Sequence, residues 1–260
     1  MTKKEKTIKS LLDKAYENYA HQGFIEFDPI QIPHRFSLKQ DIEIAGFFAA
    51  IFAWGQRKTI IAKCAELLLR MDNAPYDFVI HHSKKELKGL ESFVHRTFNG
   101  TDLLYTIDFL NRHYNKFESL EDAFVPQKNY NSLDTGLALI HFHQQFTTSE
   151  YFPKRTAKHI ASPAKNSSCK KLNMYLRWMC RTESEGIDFN IWHKIKPSQL
   201  VCPLDVHVMR VSEKIELCDF GTNAWDNALK LSTQLKKFDA QDPIKYDLAL
   251  FSLGADGLYK

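Results

Sequence analysis

Two short stretches hold the residue types that do chemistry. The first is Ser167-Ser168-Cys169-Lys170-Lys171-Leu172-Asn173-Met174-Tyr175-Leu176-Arg177-Trp178-Met179, in which a polar hairpin leads into a helix opening on two lysines. An ammonium group in a first turn faces the positive end of the helix dipole. That repulsion, with partial desolvation, lowers a lysine pKa and favours the nucleophilic neutral amine. Ser167 or Ser168 is placed to cap this helix. The second stretch, in which Asp205 follows Lys170 by 35 residues, is Val201-Cys202-Pro203-Leu204-Asp205-Val206-His207-Val208-Met209-Arg210-Val211. Pro203 ends what precedes it, and Asp205 stands where a helix N-cap would be. An aspartate there commonly does no more than cap the helix. Beside a lysine amine it also stabilises developing positive charge or handles protons.

Helices must position these groups. Apolar residues recur at steps of three and four through Thr7–Tyr19, with Ile8, Leu11, Leu12, Ala15 and Tyr19 on one face, and again through Ile60, Ala65, Leu67, Leu68 and Met71 until Asn73-Ala74-Pro75 stops the pattern. Ser83 and Glu86 form a capping-box pair. Further helical segments are Thr101–Tyr114, Asn131–Phe146, Ser168–Arg181, Val206–Leu217, Ala224–Phe238 and Pro243–Leu253. The apolar run Ile42–Gly55 is shorter than the roughly 20 residues that span a bilayer, and reads as a buried helix. Strand signals are confined to a loose alternation at Gly23–Phe27. The expectation is an all-α chain in two lobes. Residues 1–40 form an N-terminal helix and extended segment packing with the C-terminal lobe, 41–148 a central helical lobe, and 149–260 a C-terminal lobe with the hairpin and the Lys/Asp pair. The polar stretches 126–132 and 161–168 are too short for flexible interdomain linkers.

Composition narrows the class of function. With 44% hydrophobic and 25% charged residues, and only ten glycines and nine prolines in 260, the chain is neither disordered, collagenous nor rich in turns. The formal charge of +4 is too small to name a partner, but it is unevenly spread. Between Tyr151 and Ile215, twelve Lys and Arg face five acids, a net of +7 against −3 elsewhere. Polyanion binding belongs to this stretch, unless the stretch is simply a solvated basic face. The five cysteines, Cys64, Cys169, Cys180, Cys202 and Cys218, include no CxxC pair and read as reduced thiols, not as ligands of a zinc ribbon or clustered iron–sulfur site. Neither His81-His82 nor His141 with His143 has a third ligand at an obvious offset. No metal or other cofactor is expected, and without a signal peptide the expected location is cytoplasmic.

PLDVHVMRVSEKIEL resembles the V-D-T-H-V-x-R segment of the helix-hairpin-helix DNA glycosylases of the endonuclease III superfamily, with Asp205, His207 and Arg210 on its Asp, His and Arg. Lys170-Lys171-Leu172-Asn173 resembles that family's G-x-G-x-K-T-A-N, whose Lys is the Schiff-base nucleophile of the bifunctional members. Alignment on Asn173 selects Lys170; a one-residue shift selects Lys171. Pro163-Ala164-Lys165-Asn166-Ser167-Ser168 replaces the Gly-x-Gly hairpin, and the Lys–Asp spacing is similar to that of the archaeal 8-oxoguanine glycosylases. The resemblance implies a two-lobed glycosylase-like bundle with a DNA-binding cleft between the lobes. It implies excision of a damaged purine, an oxidised guanine being the first candidate, with possible lyase activity on the abasic product. Double-stranded DNA would be the partner, the location bacterial and nucleoid-associated, with no membrane and no obligate protein partner. Lys165, Ser167, Ser168, Arg177, His207 and Arg210 would then contact DNA or orient the site. Ala53-Trp54-Gly55-Gln56-Arg57-Lys58 resembles the helix end where a Gln intrudes into the base stack, which implicates Gln56, Arg57 and Lys58. Trp178, Trp192 and Asp247 are candidates for the base pocket, although Trp178 at helical spacing also fits a core.

KKLNMYLRWMCR, FNIWHKIKPSQLVCPLDVHV and DPIKYDLALFSLG resemble more closely an uncharacterised bacterial family carried as a domain of unknown function, across nearly the whole chain. That likeness implies no activity. Two other readings remain: a non-catalytic DNA- or RNA-binding protein on the same scaffold, and a helical interaction protein without nucleic-acid binding.

Overall fold

A computed structural model gives the fold and describes residues 1–21, 23–125, 131–182 and 185–255. It is 63% helix and 2% strand, an all-α architecture in agreement with the 3.6-residue periodicity. In chain order the elements are α1 (Lys3–Tyr19), α2 (Gly23–Glu26), α3 (Lys39–Phe52), α4 (Arg57–Leu69), α5 (Pro75–His81), α6 (Lys84–Leu90), β1 (Val94–His95), β2 (Phe98–Asn99) and α7 (Gly100–Tyr114). There follow α8 (Glu121–Phe124), α9 (Gly136–Thr147), α10 (Lys170–Cys180), α11 (Val206–Lys214), α12 (Ala224–Lys236) and α13 (Tyr246–Ala255). No described helix is long and apolar enough to cross a membrane.

The chain divides into two compact units. One gathers Met1–Glu26, Tyr130–Leu137 and Ser162–Lys260; the other gathers Phe27–Asn129 and Ala138–Ala161. In the first, α1 lies along α13, and α13 also packs on α11. Ile8, Leu12 and Ala15 supply the buried face of α1, and a capping box between Thr2 and Glu5 fixes its start.

The second unit is organised by α3. Its residues Ile42–Phe52 are buried on every side, as expected of a helix that is apolar all round. Around it the phenylalanines interlock: Phe124 stacks on Phe142 with ring centroids 4.0 Å apart, and Phe52 meets Phe98 edge-on at 5.0 Å. One carboxyl group lies within the buried run Ile42–Phe52. Glu43 accepts hydrogen bonds from the Tyr114 hydroxyl at 2.8 Å, the Ser119 hydroxyl at 2.5 Å and the Leu120 amide at 3.1 Å. These donors come from α7 and the chain before α8, so a buried carboxyl group here ties three segments together.

Several expectations need correction. Gly23–Phe27 is not a strand, since Gly23–Glu26 makes a helical turn. The strands that form, Val94–His95 against Phe98–Asn99 in an antiparallel hairpin, are two residues each and too short to show alternation in sequence. The helix expected from Asn131 starts at Gly136, and the chain at Pro243 makes a 3₁₀ turn before α13 begins. Residues 126–130 of the first polar stretch lie outside the described residues. The Ser83–Glu86 capping box is present, with both reciprocal hydrogen bonds.

Because Glu43 answers three buried donors, Glu43→Ala should lower stability by about 2–4 kcal/mol in urea denaturation. A change smaller than about 0.5 kcal/mol would show that the donors find other partners.

Candidate functional site

Lys170 and Asp205 meet at the starts of two helices in the first unit. The Lys170 Nζ lies 2.6 Å from Asp205 Oδ2, while Asp205 Oδ1 accepts the His207 and Val208 amides, each at 2.9 Å. One carboxylate therefore caps α11 and pairs with the first residue of α10. The capping and charge-stabilising uses of Asp205 coexist because they occupy different oxygens. The pair is reachable, with the lysine side chain 41% and the aspartate side chain 22% exposed.

Local backbone geometry brings the two helix starts together. After a 3₁₀ turn at Pro163–Lys165, Asn166 and Cys169 both adopt left-handed conformations, with φ of 54° and 51°. These residues supply, without glycine, the turns that aim α10. The N-cap position falls on Cys169, so neither Ser167 nor Ser168 caps the helix. Ser167 Oγ instead accepts the Cys169 amide, and Ser168 Oγ donates to the Leu204 carbonyl at 3.3 Å, joining the approach to α10 to the approach to α11. Asn173 Nδ2 donates back to the Ser168 carbonyl at 2.9 Å.

Behind the pair, α10 carries a buried polar stripe. Lys170, Asn173, Arg177 and Arg181 follow one another at steps of three and four, so they share a face. Arg177 Nη1 pairs with Asp247 Oδ2 at 2.6 Å and its Nε lies 3.4 Å from Asp188. Arg181 bridges Asp188 and Asp242, both at 2.9 Å, and donates to the Tyr16 hydroxyl at 2.6 Å. Buried guanidinium groups require such carboxylates. Cys202 Sγ, also buried, lies 3.9 Å from the second oxygen of Asp247.

The charges of the site follow from these contacts. Burial acts to raise the Asp205 pKa, but the ammonium of Lys170, its hydrogen bond and that of the Val208 amide together hold the carboxyl below its ordinary value. Burial pushes Asp247 up against the pull of Arg177, and the nearby charge of Asp205 acts in the same direction as burial. Lys171, half-buried, is lowered to about 8, first by burial and then by the charge of Lys170. Of the two lysines, Lys170 holds the carboxylate and Lys171 has the depressed amine.

The other expected residues divide sharply. Lys165, His207 and Arg210 are exposed in the same unit as the pair. Arg177, at 3% exposure, is held by Asp247 and Asp188 in the interior and is not placed to meet a phosphate. Trp178 and Trp192 are at 0% and 1%, and Trp192 packs edge-on against Tyr175, so neither presents a face to an extruded base. Asp247 is likewise turned inward, toward Arg177 and Cys202. These corrections have one cause: α10 faces inward along nearly its whole length after Lys171, so aromatic and cationic side chains beyond its first turn are buried. Gln56, Arg57 and Lys58 belong to the second unit, as the N-cap and first two residues of α4. The supporting acids Asp188 and Asp242 were not anticipated; the recurrence of Arg177 and Arg181 on the face of Lys170 and Asn173 is the pattern that points to them.

The structure thus defines an all-α chain with a lysine–aspartate pair at two adjoining helix starts. The chain belongs to the family described as "Protein of unknown function (DUF2400)", which matches residues 28–256. No curated protein and no solved structure matches it.

The depressed amine of Lys171 sets a pH dependence of stability. Below pH 8 the folded state retains a half-buried ammonium. Between about 8 and the ordinary 10.5 the folded state releases that proton before the unfolded chain does, so stability rises with pH across that window. Lys171→Met should therefore stabilise the protein at pH 7 by about 1–2 kcal/mol and lose that advantage by about pH 10.5. Urea denaturation of both proteins at pH 7 and pH 10 checks this; a difference independent of pH contradicts it.

Proposed function

We propose that the protein is a DNA glycosylase of the helix-hairpin-helix type with a lyase step, acting on a damaged purine in duplex DNA. The observation that carries the reading is the 2.6 Å contact between Lys170 and Asp205, two residues that align with the nucleophile and the aspartate of that superfamily. The turn at Asn166–Cys169 supports it, since left-handed residues do there what hairpin glycines do elsewhere. The exposed Lys165, His207 and Arg210 supply cations or hydrogen-bond donors for phosphates in the same unit.

In this mechanism Asp205 takes a proton from the Lys170 ammonium and frees the amine. The nitrogen lone pair attacks the anomeric carbon as the glycosidic C–N bond breaks. The base leaves with that bonding pair and takes the proton that Asp205 had accepted. The lysine nitrogen passes a proton to O4′ as the C1′–O4′ bond breaks and the ring opens to a Schiff base, and transfer of a C2′ proton to the restored Asp205 carboxylate then expels the 3′ phosphate. Once its proton has passed to the base, the restored Asp205 carboxylate stabilises the positive charge left on the sugar and its lysine adduct. Oxidised guanine is the first substrate to try, on the Lys–Asp spacing. The replaced Gly-x-Gly hairpin favours a second reading, in which the scaffold binds nucleic acid without excising a base.

Borohydride trapping on a duplex containing an oxidised guanine separates the two readings. Wild type should form a covalent adduct, Lys170→Ala should abolish it, and Lys171→Ala should retain it. An adduct that survives Lys170→Ala but not Lys171→Ala moves the nucleophile by one residue. No adduct across a panel of lesions, with salt-sensitive DNA binding intact, leaves the binding reading in place of the enzymatic one.

A further inference from the structure

The second unit has an exposed aromatic surface that the lysine–aspartate site does not use. Trp54, in the connection between α3 and α4, is 51% exposed, although an indole ring is among the largest apolar groups a chain can bury. The Arg96 guanidinium lies over its ring at 5.0 Å from the centroid. The arrangement is built into the backbone. His95 Nε2 donates to the Phe52 carbonyl at 3.1 Å, anchoring the β1–β2 hairpin to the end of α3, and Phe98 packs on Phe52 from the other strand. Arg96, the next residue, turns with φ of 54° at the hairpin tip. Gly55 has φ of 106°, and a Cβ there would stand 2.0 Å from Arg96 Nη2, so the absence of a side chain at residue 55 lets the guanidinium reach the indole.

Of the cations on this connection and hairpin, Arg57 has a carboxylate, that of Asp28, at 4.0 Å. Among the described residues no acidic group lies within ion-pair distance of Arg96 or Lys58, and Lys58 is exposed in the first turn of α4, where the helix dipole disfavours it. The Gln56 side chain makes no capping hydrogen bond. An exposed indole carrying a guanidinium, with the exposed Lys58 four residues along the chain, matches a ligand that is aromatic and anionic in adjacent parts, which describes a nucleotide unit of a nucleic acid strand.

We propose that Trp54, backed by Arg96, is a stacking platform for an unpaired base in duplex DNA, with Lys58 and Arg96 meeting the flanking phosphates and Gln56 available to a base edge. This rests on the DNA reading above and adds a contact to it. The base stacks on the indole face opposite Arg96, which polarises the ring and holds it in place.

The test uses a duplex with 2-aminopurine opposite a tetrahydrofuran abasic site, compared with the fully paired duplex, and follows affinity by anisotropy and stacking by 2-aminopurine fluorescence. Wild type should prefer the abasic duplex and quench the probe. Trp54→Ala should lose about tenfold or more in affinity for that duplex and abolish the quenching, with less effect on the paired duplex, while Trp54→Phe retains most of both. Lys58→Ala should reduce the slope of log affinity against log salt by about one. Circular dichroism matching wild type confirms that the variants are folded. If wild type binds with steep salt dependence but Trp54→Ala binds and quenches equally, the platform is refuted and the DNA reading stands. If wild type binds neither duplex, both fall.

Discussion

Two guanidinium groups lie inside the unit that carries the Lys170–Asp205 pair, and neither can be there alone. Arg177, on the inward face of α10, and Arg181, at its C-cap, are answered by Asp188 of the chain after α10, Asp242 of the segment leading into α13 and Asp247 of the first turn of α13. Tyr16 of α1 closes the group. Removing one member of such a set typically costs about 3–5 kcal/mol, because the charge left behind is buried without its partner. The set therefore fixes α10 against elements that the sequence separates by up to 165 residues. Lys170 is the exposed end of the same stripe, and the orientation of its side chain depends on the helix those ion pairs hold.

The geometry of Asp205 depends on that arrangement too. Its oxygens divide the work, one on the amides of α11 and the other on the lysine, so the pair is not a loose surface contact that costs side-chain entropy to form. The N-cap hydrogen bonds hold the carboxylate with its second oxygen turned to the lysine. In the second unit order comes from an apolar source, the interlocked phenylalanines around α3. Trp54 is one of the large aromatics that this core leaves outside, and the hairpin anchored on Phe52 holds Arg96 against it.

Much of this was legible in the residues. The Ser83–Glu86 cap and the Asp205 cap each follow from a side chain that satisfies orphan amides, a local rule that needs no tertiary information. The apolar run Ile42–Gly55 read as a buried helix because it is too short to span a bilayer, and the helix found there ends at Phe52. The proximity of Lys170 and Asp205 came from a resemblance and not from periodicity, since nothing local joins residues 35 positions apart. What could not be read was set by tertiary contacts. Arg177 carries a charge and would ordinarily be solvated; only the distant acids make its burial possible. Trp178 and Trp192 are amphipathic rings that suit a pocket or a core equally by type, and neighbours decide. Cys169 gives no sign of a left-handed backbone, and two-residue strands are too short to alternate.

The central claim is that Lys170 and Asp205 form one coupled site at the exposed edge of the buried ionic stripe. Carbon-13 NMR of the Asp205 carboxyl, followed through an acid titration in wild type and in Lys170→Met, tests it most directly. The account predicts a wild-type midpoint below the ordinary aspartate value and a clear rise in that midpoint when the ammonium is removed. An unshifted carboxyl that titrates identically in both proteins would contradict it.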